Sequence, residues 1–466
     1  MSMHTSTEQQ FNRGILLAVI FISSFFNPFM GSAVNIALPS IGKELSMNAV
    51  SLSWIPMAFL LSSAVLLVPF GKLADIWGRK RMLLFGNIFF TLSTLLCAFA
   101  PSGFMLIASR FLQGFGSAMI LSSGMAIVIS AFPPEKRGTI IGWNTSAVYV
   151  GLSAAPLLGG ILTQTFGWQS LFFINAAAGM LIIAGIIFGV KAEWAEAKND
   201  RFDFTGSAIY VPSMSALMYG FSKLPGTFAL ILTVSGAIGL VLFVIWELRY
   251  KSPVLNMGLF RDNRIFAFSN LAALINYAAT FGITFLLSLY LQSVKGLSPR
   301  DAGMILITQP VMMAVVASVS GRLSDRIDSR ILSSAGMGVI VAGLISLIFL
   351  TSDSPTLHLV ITLMVLGFGF GLFSSPNTNS VMSSVEKRFL GTASATLGTM
   401  RLTGQMFSMA IAAMSIHIFV GDEAISGSNI HGFMHSLRVV FMVFALLCLL
   451  GVFASLARGK KNTATG

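Results

Sequence analysis

The sequence predicts an all-α membrane protein made of two six-helix bundles and two additional helices, fourteen transmembrane helices in total. Two observations lead to this fold class. The chain of 466 residues is 55% hydrophobic and only 10% charged, whereas soluble domains carry about 25% charged residues. In addition, a charged motif that joins one apolar stretch to the next occurs twice, at residues 71–81 and 321–330.

A helix needs about 20 mostly apolar residues to cross a bilayer. The first stretch that meets this condition is too long for a signal-peptide core, so we expect it to remain as a span. Fourteen stretches qualify along the chain: 13–37, 50–71, 81–100, 104–130, 138–163, 168–190, 203–221, 226–248, 265–292, 300–321, 330–350, 356–381, 391–419 and 433–457.

The two copies of the charged motif indicate an internal repeat. We call residues 71–81 the first hinge and residues 321–330 the second hinge; both contain Gly-x-Leu-x-Asp followed by basic residues. Eight spans separate them, an even number, so both lie at one membrane face and the repeat is parallel. We therefore predict a first bundle in 1–190, two additional helices with flanking loops in 191–264, and a second bundle with a short tail in 265–466. The flanking loops suggest ordinary connections.

The formal net charge of +12 indicates membrane topology rather than a nucleic-acid site. If the N-terminus is cytoplasmic, most of the Lys and Arg residues fall on the cytoplasmic side, which is the distribution typical of membrane proteins. Only Lys43, Lys223, Lys295 and Arg300 then fall in outer loops. We expect a multi-pass protein of the cell membrane, in contact with lipid, with both termini in the cytoplasm. The two cysteines lie inside spans, and neither a metal site nor a cofactor site is predicted.

Three motifs resemble those of the major facilitator superfamily. The first hinge resembles its signature loop between helices 2 and 3, Arg110-Phe-Leu-Gln-Gly-Phe-Gly116 resembles its fourth-helix motif, and residues 151–160 resemble its fifth-helix exporter motif. With fourteen spans, the whole chain is similar to the fourteen-helix drug:proton antiporter branch of multidrug efflux proteins. The resemblance implies a transporter of small molecules, not an enzyme.

The hinges are candidate conformational latches. Asp75 lies at the C-terminal end of its helix, where a carboxylate is unfavourable, so we expect it to pair with Arg79 or Lys80 or to face another helix. The resemblance implies that this pairing closes the cytoplasmic side in the outward-facing state; the alternative is a topology signal with a turn. The corresponding second-hinge candidates are Asp325 and Arg326. We predict that the first hinge is the stronger latch.

Two arginines inside spans are candidates for coupling or anion recognition. A charge inside a span is unfavourable and is usually functional, which singles out Arg110, with Gln113 nearby, and Arg401. In the superfamily the residue equivalent to Arg110 is implicated in proton transfer. Because Arg stays charged, we expect it to tune a neighbouring acid or to bind an anion; the alternative is that it extends to the membrane interface.

The fifth span carries the exporter motif, with Gly151, Pro156, Gly159 and Gly160. Small residues at every fourth position permit close helix packing in lipid, and Pro156 can bend the helix. The resemblance links this helix to export; tight packing alone is the alternative.

The substrate cavity is expected to be polar but without an acid. In this branch the first helix commonly carries an Asp where this chain has Met30, and none of the seventeen acids falls in the middle of a span. We therefore expect neutral or anionic substrates. Amide and hydroxyl side chains of spans are candidate cavity residues, although many such groups bond between helices instead. The candidates are Asn27, Asn144, Asn276, Tyr277, Asn377 and Asn379.

Together these features predict a monomeric secondary active transporter that exports amphiphilic organic compounds by alternating access, with protons as the expected counter-substrate. Proton coupling is the weakest step, because a proton carrier must titrate and no acid falls in the middle of a span; Asp203 and Glu247 come closest. The alternative is a carrier of a lipid, fatty acid or other anionic metabolite that is recognised by the embedded arginines and need not be coupled to protons.

Overall fold

The computed structural model describes residues 12–459 except 196, 198–199, 251, 256, 325, 387–389, 422, 424 and 426–428. The described residues form α-helices and contain no β-strand. The helices are α1 Arg13–Glu44, α2 Ala49–Trp77, α3 Arg79–Ala98, α4 Gly103–Ala131, α5 Pro134–Phe166, α6 Gln169–Gly189, α7 Phe204–Ser222, α8 Thr227–Glu247, α9 Gly258–Asp262, α10 Arg264–Thr280, α11 Gly282–Leu289, α12 Pro299–Leu306, α13 Thr308–Leu323, α14 Ser329–Ile348, α15 Thr356–Ser383, α16 Leu390–Phe419 and α17 Ile430–Ala457.

Thirteen helical segments among the described residues are long and apolar enough to cross a membrane. Two of them are composite: α10 and α11 continue through a π turn to Val294, and α12 and α13 form the segment Pro299–Leu323. The predicted seventh span is also a helix, α7, but its serine, threonine and glycine residues make it less apolar than the other thirteen. With α7 included, the fourteen predicted spans all correspond to helices.

The helices form two bundles that repeat the same packing. In the first bundle α3 and α2 both pack on α4, and α1 packs on α5. In the second bundle α14 and α13 both pack on α15, and α10 packs on α16. The equivalence of these contacts confirms the parallel repeat that the two hinges predict.

The additional helices α7 and α8 pack against each other, and α7 packs on the bundles through α2 and α16. The ring of Tyr219 lies 5.4 Å from that of Trp54 in α2, and the ring of Phe221 lies 5.2 Å from that of Phe407 in α16. The polar composition of α7 is explained by this position, because its buried face lies against protein rather than lipid.

Successive long helices run in opposite directions, so the molecule has two ends. The hinge end contains both hinges, the start of α7 and the end of α8. The far end contains Glu44 at the end of α1, Phe166 at the end of α5 and the first residues of α12.

Candidate functional site between the helix bundles

The two bundles are joined by hydrogen bonds at the far end. Ser288 of α11 donates to the backbone oxygen of Asn35 at 2.8 Å, and Gln292 donates to the backbone oxygen of Ile36 at 2.9 Å. Both acceptors belong to α1, so the contact lies between the first and second bundles. This structure is therefore closed at its far end.

The predicted exporter helix α5 contributes to the same closure. A Cβ atom on Gly160 would overlap the backbone oxygen of Pro299, and one on Gly303 would overlap the backbone oxygen of Pro156. The two glycines thus permit α5 and α12 to touch backbone to backbone. On the other face of α5, Gly151 and Gly159 contact α1 within the first bundle.

Arg401 of α16 lies near the middle of the interface and has unused hydrogen-bonding capacity. Its Nη2 donates to Thr378 Oγ1 at 2.6 Å, and its guanidinium carbon lies 5.7 Å from the centre of the Tyr277 ring. Its Nε is buried without an acceptor. Among the described residues no carboxylate forms an ion pair with Arg401. A cation with a free donor can bind an anionic or carbonyl group of a ligand.

Tyr149 brings the first bundle to this site. Its hydroxyl lies 3.3 Å from Ser374 Oγ of α15, one helical turn before Thr378. Tyr149 also lies close enough to Tyr277 and Arg401 for electrostatic interaction. The aromatic wall continues with Phe370, whose ring meets Tyr277 edge to face at 5.3 Å. We call Arg401, Thr378, Ser374, Tyr277 and Tyr149 the central site; it contains one cation, hydroxyl groups and aromatic rings.

The predicted asparagines fall in different places. Asn377 donates to the backbone oxygen of Ser269 at 3.2 Å, while its own Oδ1 is buried without a partner. Both amide atoms of Asn276 are likewise buried without a partner. Asn379 is exposed toward the hinge end and donates to Ser324 Oγ at 3.2 Å. Asn276 and Asn377 therefore lie in the interior of the second bundle, whereas Asn379 does not.

The predicted cavity residues of the first bundle make contacts within that bundle. Asn144 accepts a hydrogen bond from Ser24 at 2.5 Å, and Asn27 donates to Ser117 at 3.0 Å. Met30, which stands where the related antiporters commonly have Asp, is buried. These groups link α1 to α4 and α5, which is the interhelical bonding considered as the alternative to ligand binding.

Arg110 lies inside the first bundle and not at the bundle interface. It is 1% exposed, its Nε donates to the backbone oxygen of Ile55 at 3.3 Å, and its guanidinium lies 4.5 Å from the centre of the Phe59 ring. Its Nη1 donates to Gln113, which in turn donates to Thr94 at 2.6 Å. All these partners are neutral, and no acidic side chain of the described residues pairs with Arg110.

At the first hinge, Asp75 and Arg79 form an ion pair within the first bundle. Arg79 Nη2 lies 2.6 Å from Asp75 Oδ1, and Arg79 also donates to Ser130 of α4. This structure therefore places the predicted partners Asp75 and Arg79 together, on one side of the bundle interface.

Glu193, in the segment after α6, completes the first hinge, and sequence reasoning missed it. Its carboxylate accepts hydrogen bonds from the backbone N–H groups of Lys80 at 2.9 Å and Arg81 at 3.2 Å, which lie in the first turn of α3, where backbone donors lack a partner within the helix. Gly78 has φ +123°, and a Cβ on it would lie 2.5 Å from Glu193 Cδ. The segment that was expected to be an ordinary connection is thus bound to the first hinge. A glycine is needed at position 78 because of its positive φ and because a side chain there would overlap Glu193.

The second hinge is built differently. Asp328 is the N-cap residue that precedes α14 and accepts the backbone N–H of Arg330 at 2.8 Å, so this helix is capped by the residue directly before it. Arg326 is exposed. Asp325 lies outside the described residues.

Comparisons with known proteins agree with this architecture. The family model described as Major Facilitator Superfamily matches residues 20–409 and 271–465. The chain is 31% identical to the riboflavin transporter RibZ of Clostridioides difficile (strain 630) over 83% of this chain and 84% of that protein. It is 30% identical to the multidrug resistance protein Stp of Mycobacterium tuberculosis (strain CDC 1551 / Oshkosh), over 85% of this chain and 73% of that protein.

A solved structure supports the fold independently. The crystal structure of a bacterial homologue of the human lysosomal transporter Spinster superposes with a TM-score of 0.69 at 16% identity, covering 96% of this chain and 97% of that one. The helix order, the repeated packing, the three motifs and these matches show that the chain belongs to the Major Facilitator Superfamily of membrane transporters.

Proposed function

We propose that the chain is a secondary active transporter that exports amphiphilic organic compounds by alternating access of its two bundles, with the polar end of the substrate bound at the central site. One observation carries this proposal: Arg401 lies at the bundle interface with a buried Nε that has no acceptor and with no carboxylate partner among the described residues. The surrounding Tyr149 and Tyr277 rings suit the apolar part of such a compound.

The bundle interface supports alternating access. Hydrogen bonds and glycine contacts hold the far end closed here, and parallel repeats that rock about a central site are a common transporter mechanism. We place the hinge end in the cytoplasm, because most basic residues then lie there, and we place the protein in the cell membrane as a monomer surrounded by lipid. Closure at the far end then corresponds to an inward-facing state.

The substrate is expected to be neutral or anionic. A dication needs a buried carboxylate to offset its desolvation, whereas the central site offers a cation and hydroxyl groups. The printed names of relatives refer to riboflavin transport and to multidrug resistance, and both fit export of an organic compound with polar and apolar parts.

The binding test uses the purified full-length protein and a panel of cationic, neutral and anionic amphiphiles. We expect neutral and anionic compounds to raise the melting temperature and dications to have no effect. Arg401→Ala should weaken binding of the anions about 10- to 100-fold, because hydrogen bonds to charged groups contribute about 1.5–3 kcal/mol. Arg249→Ala removes an exposed arginine from the segment after α8 and serves as the control. Selective stabilisation by dications would contradict the proposal.

Proton antiport is the proposed energy source. The test is uptake of a bound compound into inverted vesicles with an imposed pH gradient, with collapse of the gradient by an ionophore as the control. Uptake that ignores the gradient would mean that the transporter uses another driving force.

A second candidate is a carrier of a lipid, fatty acid or other anionic metabolite, and it is favoured by Arg401, which has no carboxylate partner among the described residues. Arg401→Ala and Arg110→Ala separate the two functions. Loss of anion transport with retained export of neutral compounds would favour the anion carrier, while equal loss of both would favour the general exporter.

A further inference from the structure

Two buried carboxylates lie together where the additional helices reach the hinge end. Asp203, which precedes α7, is 1% exposed, and Glu247, which ends α8, is 3% exposed. A Cβ atom on Gly206 would touch Asp203 Oδ2 and would lie 2.7 Å from Glu247 Oε1. The two oxygens therefore face the same point on α7.

The hydrogen bonds of the two acids are unequal. Asp203 Oδ1 accepts the backbone N–H of Gly206 at 2.8 Å, and its Oδ2 accepts the indole N–H of Trp246 at 2.9 Å. Glu247 Oε2 accepts the backbone N–H of Leu255 at 3.1 Å, but Oε1 is buried without a partner. Donors thus stabilise Asp203 as a carboxylate on both oxygens, while Glu247 has one oxygen that nothing stabilises as an anion.

Two adjacent carboxylates in a buried site do not both ionise readily, because each charge raises the energy of the other. A proton on Glu247 Oε1 removes this repulsion and the unsatisfied acceptor at the same time. Among the described residues no group of three or more His, Cys, Asp or Glu side chains is placed to hold a metal ion. The geometry points to Asp203 and Glu247 as a proton-binding pair in which Glu247 takes up one proton to become a neutral carboxylic acid.

The pair is connected to the first hinge. Lys72 of α2 is the cation of the described residues that acts on Glu247, and Asp203 is the acid that acts on it. The ammonium of Lys72 lies 2.6 Å from Asp200, which lowers the pKa of that carboxyl, and Asp200 also accepts a hydrogen bond from Ser252 at 3.1 Å. The two segments that flank the additional helices therefore meet at Asp200, which binds Lys72.

This contact provides a route from proton binding to hinge movement. When Glu247 releases its proton, its new negative charge competes with Asp200 for Lys72; when the proton returns, Lys72 stays with Asp200. The inference deepens the proposed antiport and rests on it for the use of the proton in transport. The existence of the site is measured separately, without substrate.

The test is infrared spectroscopy of the full-length protein in lipid nanodiscs between about pH 5 and pH 9, where buried carboxyl groups titrate. We expect the C=O band of one protonated carboxyl group to disappear as the pH rises and to be absent in Glu247→Gln. Asp203→Asn keeps a good helix cap but removes the negative charge next to Glu247. The pH at which half of the C=O band has disappeared should therefore fall by about 1–3 pH units. Asp353→Asn, an exposed acid at the far end, is the control.

A second variant keeps the test decisive if Glu247→Gln does not fold. Lys72→Met removes the nearby positive charge, so the midpoint should rise. A titrating band that persists in Glu247→Gln, or a midpoint that neither Asp203→Asn nor Lys72→Met moves, would overturn the proton site. If the band behaves as expected while vesicle uptake ignores a pH gradient, the site stands and proton antiport fails.

Discussion

The glycine contact between α5 and α12 offers a direct way to shift the equilibrium between the two states of the transporter. Gly160 and Gly303 each lie against a backbone oxygen of the opposite bundle, at Pro299 and Pro156. A methyl group at either position has no flexible side chain to displace. Gly160→Ala should therefore disfavour closure at the far end while leaving each bundle intact.

The size of the effect follows from the overlap. Adding a methyl group to a tightly packed contact is unfavourable by about 1–3 kcal/mol, and each 1.4 kcal/mol changes an equilibrium about tenfold. The population closed at the far end should fall about 5- to 150-fold relative to the open one. Gly151→Ala is the matched control, because Gly151 meets Phe25 of α1 within the same bundle; it should lower stability without shifting this equilibrium.

The assay is a distance distribution between two spin labels at the far end, measured by pulsed electron paramagnetic resonance. Phe166→Cys at the end of α5 and Asp353→Cys between α14 and α15 place exposed labels on different bundles. The native cysteines, Cys97 and Cys448, are buried. Gly160→Ala should move the distribution to longer distances. If Gly160→Ala matches the wild type, or if Gly151→Ala produces the same shift, the contact does not control closure.

Three further predictions concern the hinges and the buried arginine. Glu193→Ala removes the acceptor at the start of α3 and should lower the free energy of unfolding by about 0.5–2 kcal/mol. Glu193→Gln keeps an acceptor and should lower the stability less. Equal loss of stability in both variants, measured by thermal unfolding, would contradict the capping role. Gln113→Leu leaves a buried Arg110 N–H without an acceptor and should lower the free energy of unfolding by about 1–3 kcal/mol. Gln113→Glu retains an acceptor and should be more stable than Gln113→Leu; the opposite order would refute this. Asp75→Asn should reduce transport in vesicles more than Asp325→Asn, and the reverse order would show that the second hinge is the stronger latch.

The fold could be predicted from the sequence because the bilayer imposes a minimum length on each apolar helix and because the repeat leaves matching motifs. The weakest span by composition, α7, shows the limit of this reasoning. Serine, threonine and glycine residues lower its apolarity, and Tyr219 and Phe221 pack on other helices of the protein. The length of the apolar stretch 203–221 was enough to identify it, although the helix is less apolar than the thirteen other candidate spans.

The central site was predictable only in part. Arg401 was found because a charge inside a span is rare, and the structure places it beside the predicted Tyr277. Ser374 and Thr378 were missed, since a hydroxyl in a helix usually bonds to its own backbone. Arg110 was found by the same rule as Arg401, yet it lies inside a bundle. The rule identifies buried charges but does not indicate which surface of the bundle they face.

The two hinges differ in a way that follows from one position of the repeat. Gly78 in the first hinge corresponds to Asp328 in the second. Asp328 caps its own helix, while Gly78 leaves α3 uncapped and leaves room for Glu193 to cap it from the segment after α6. A movement of the first hinge must therefore either carry this segment, and with it the additional helices, or break these hydrogen bonds and those that join Arg79 to Trp194 and Asp75 to Ala197. The additional helices are therefore linked to the hinge of the first bundle.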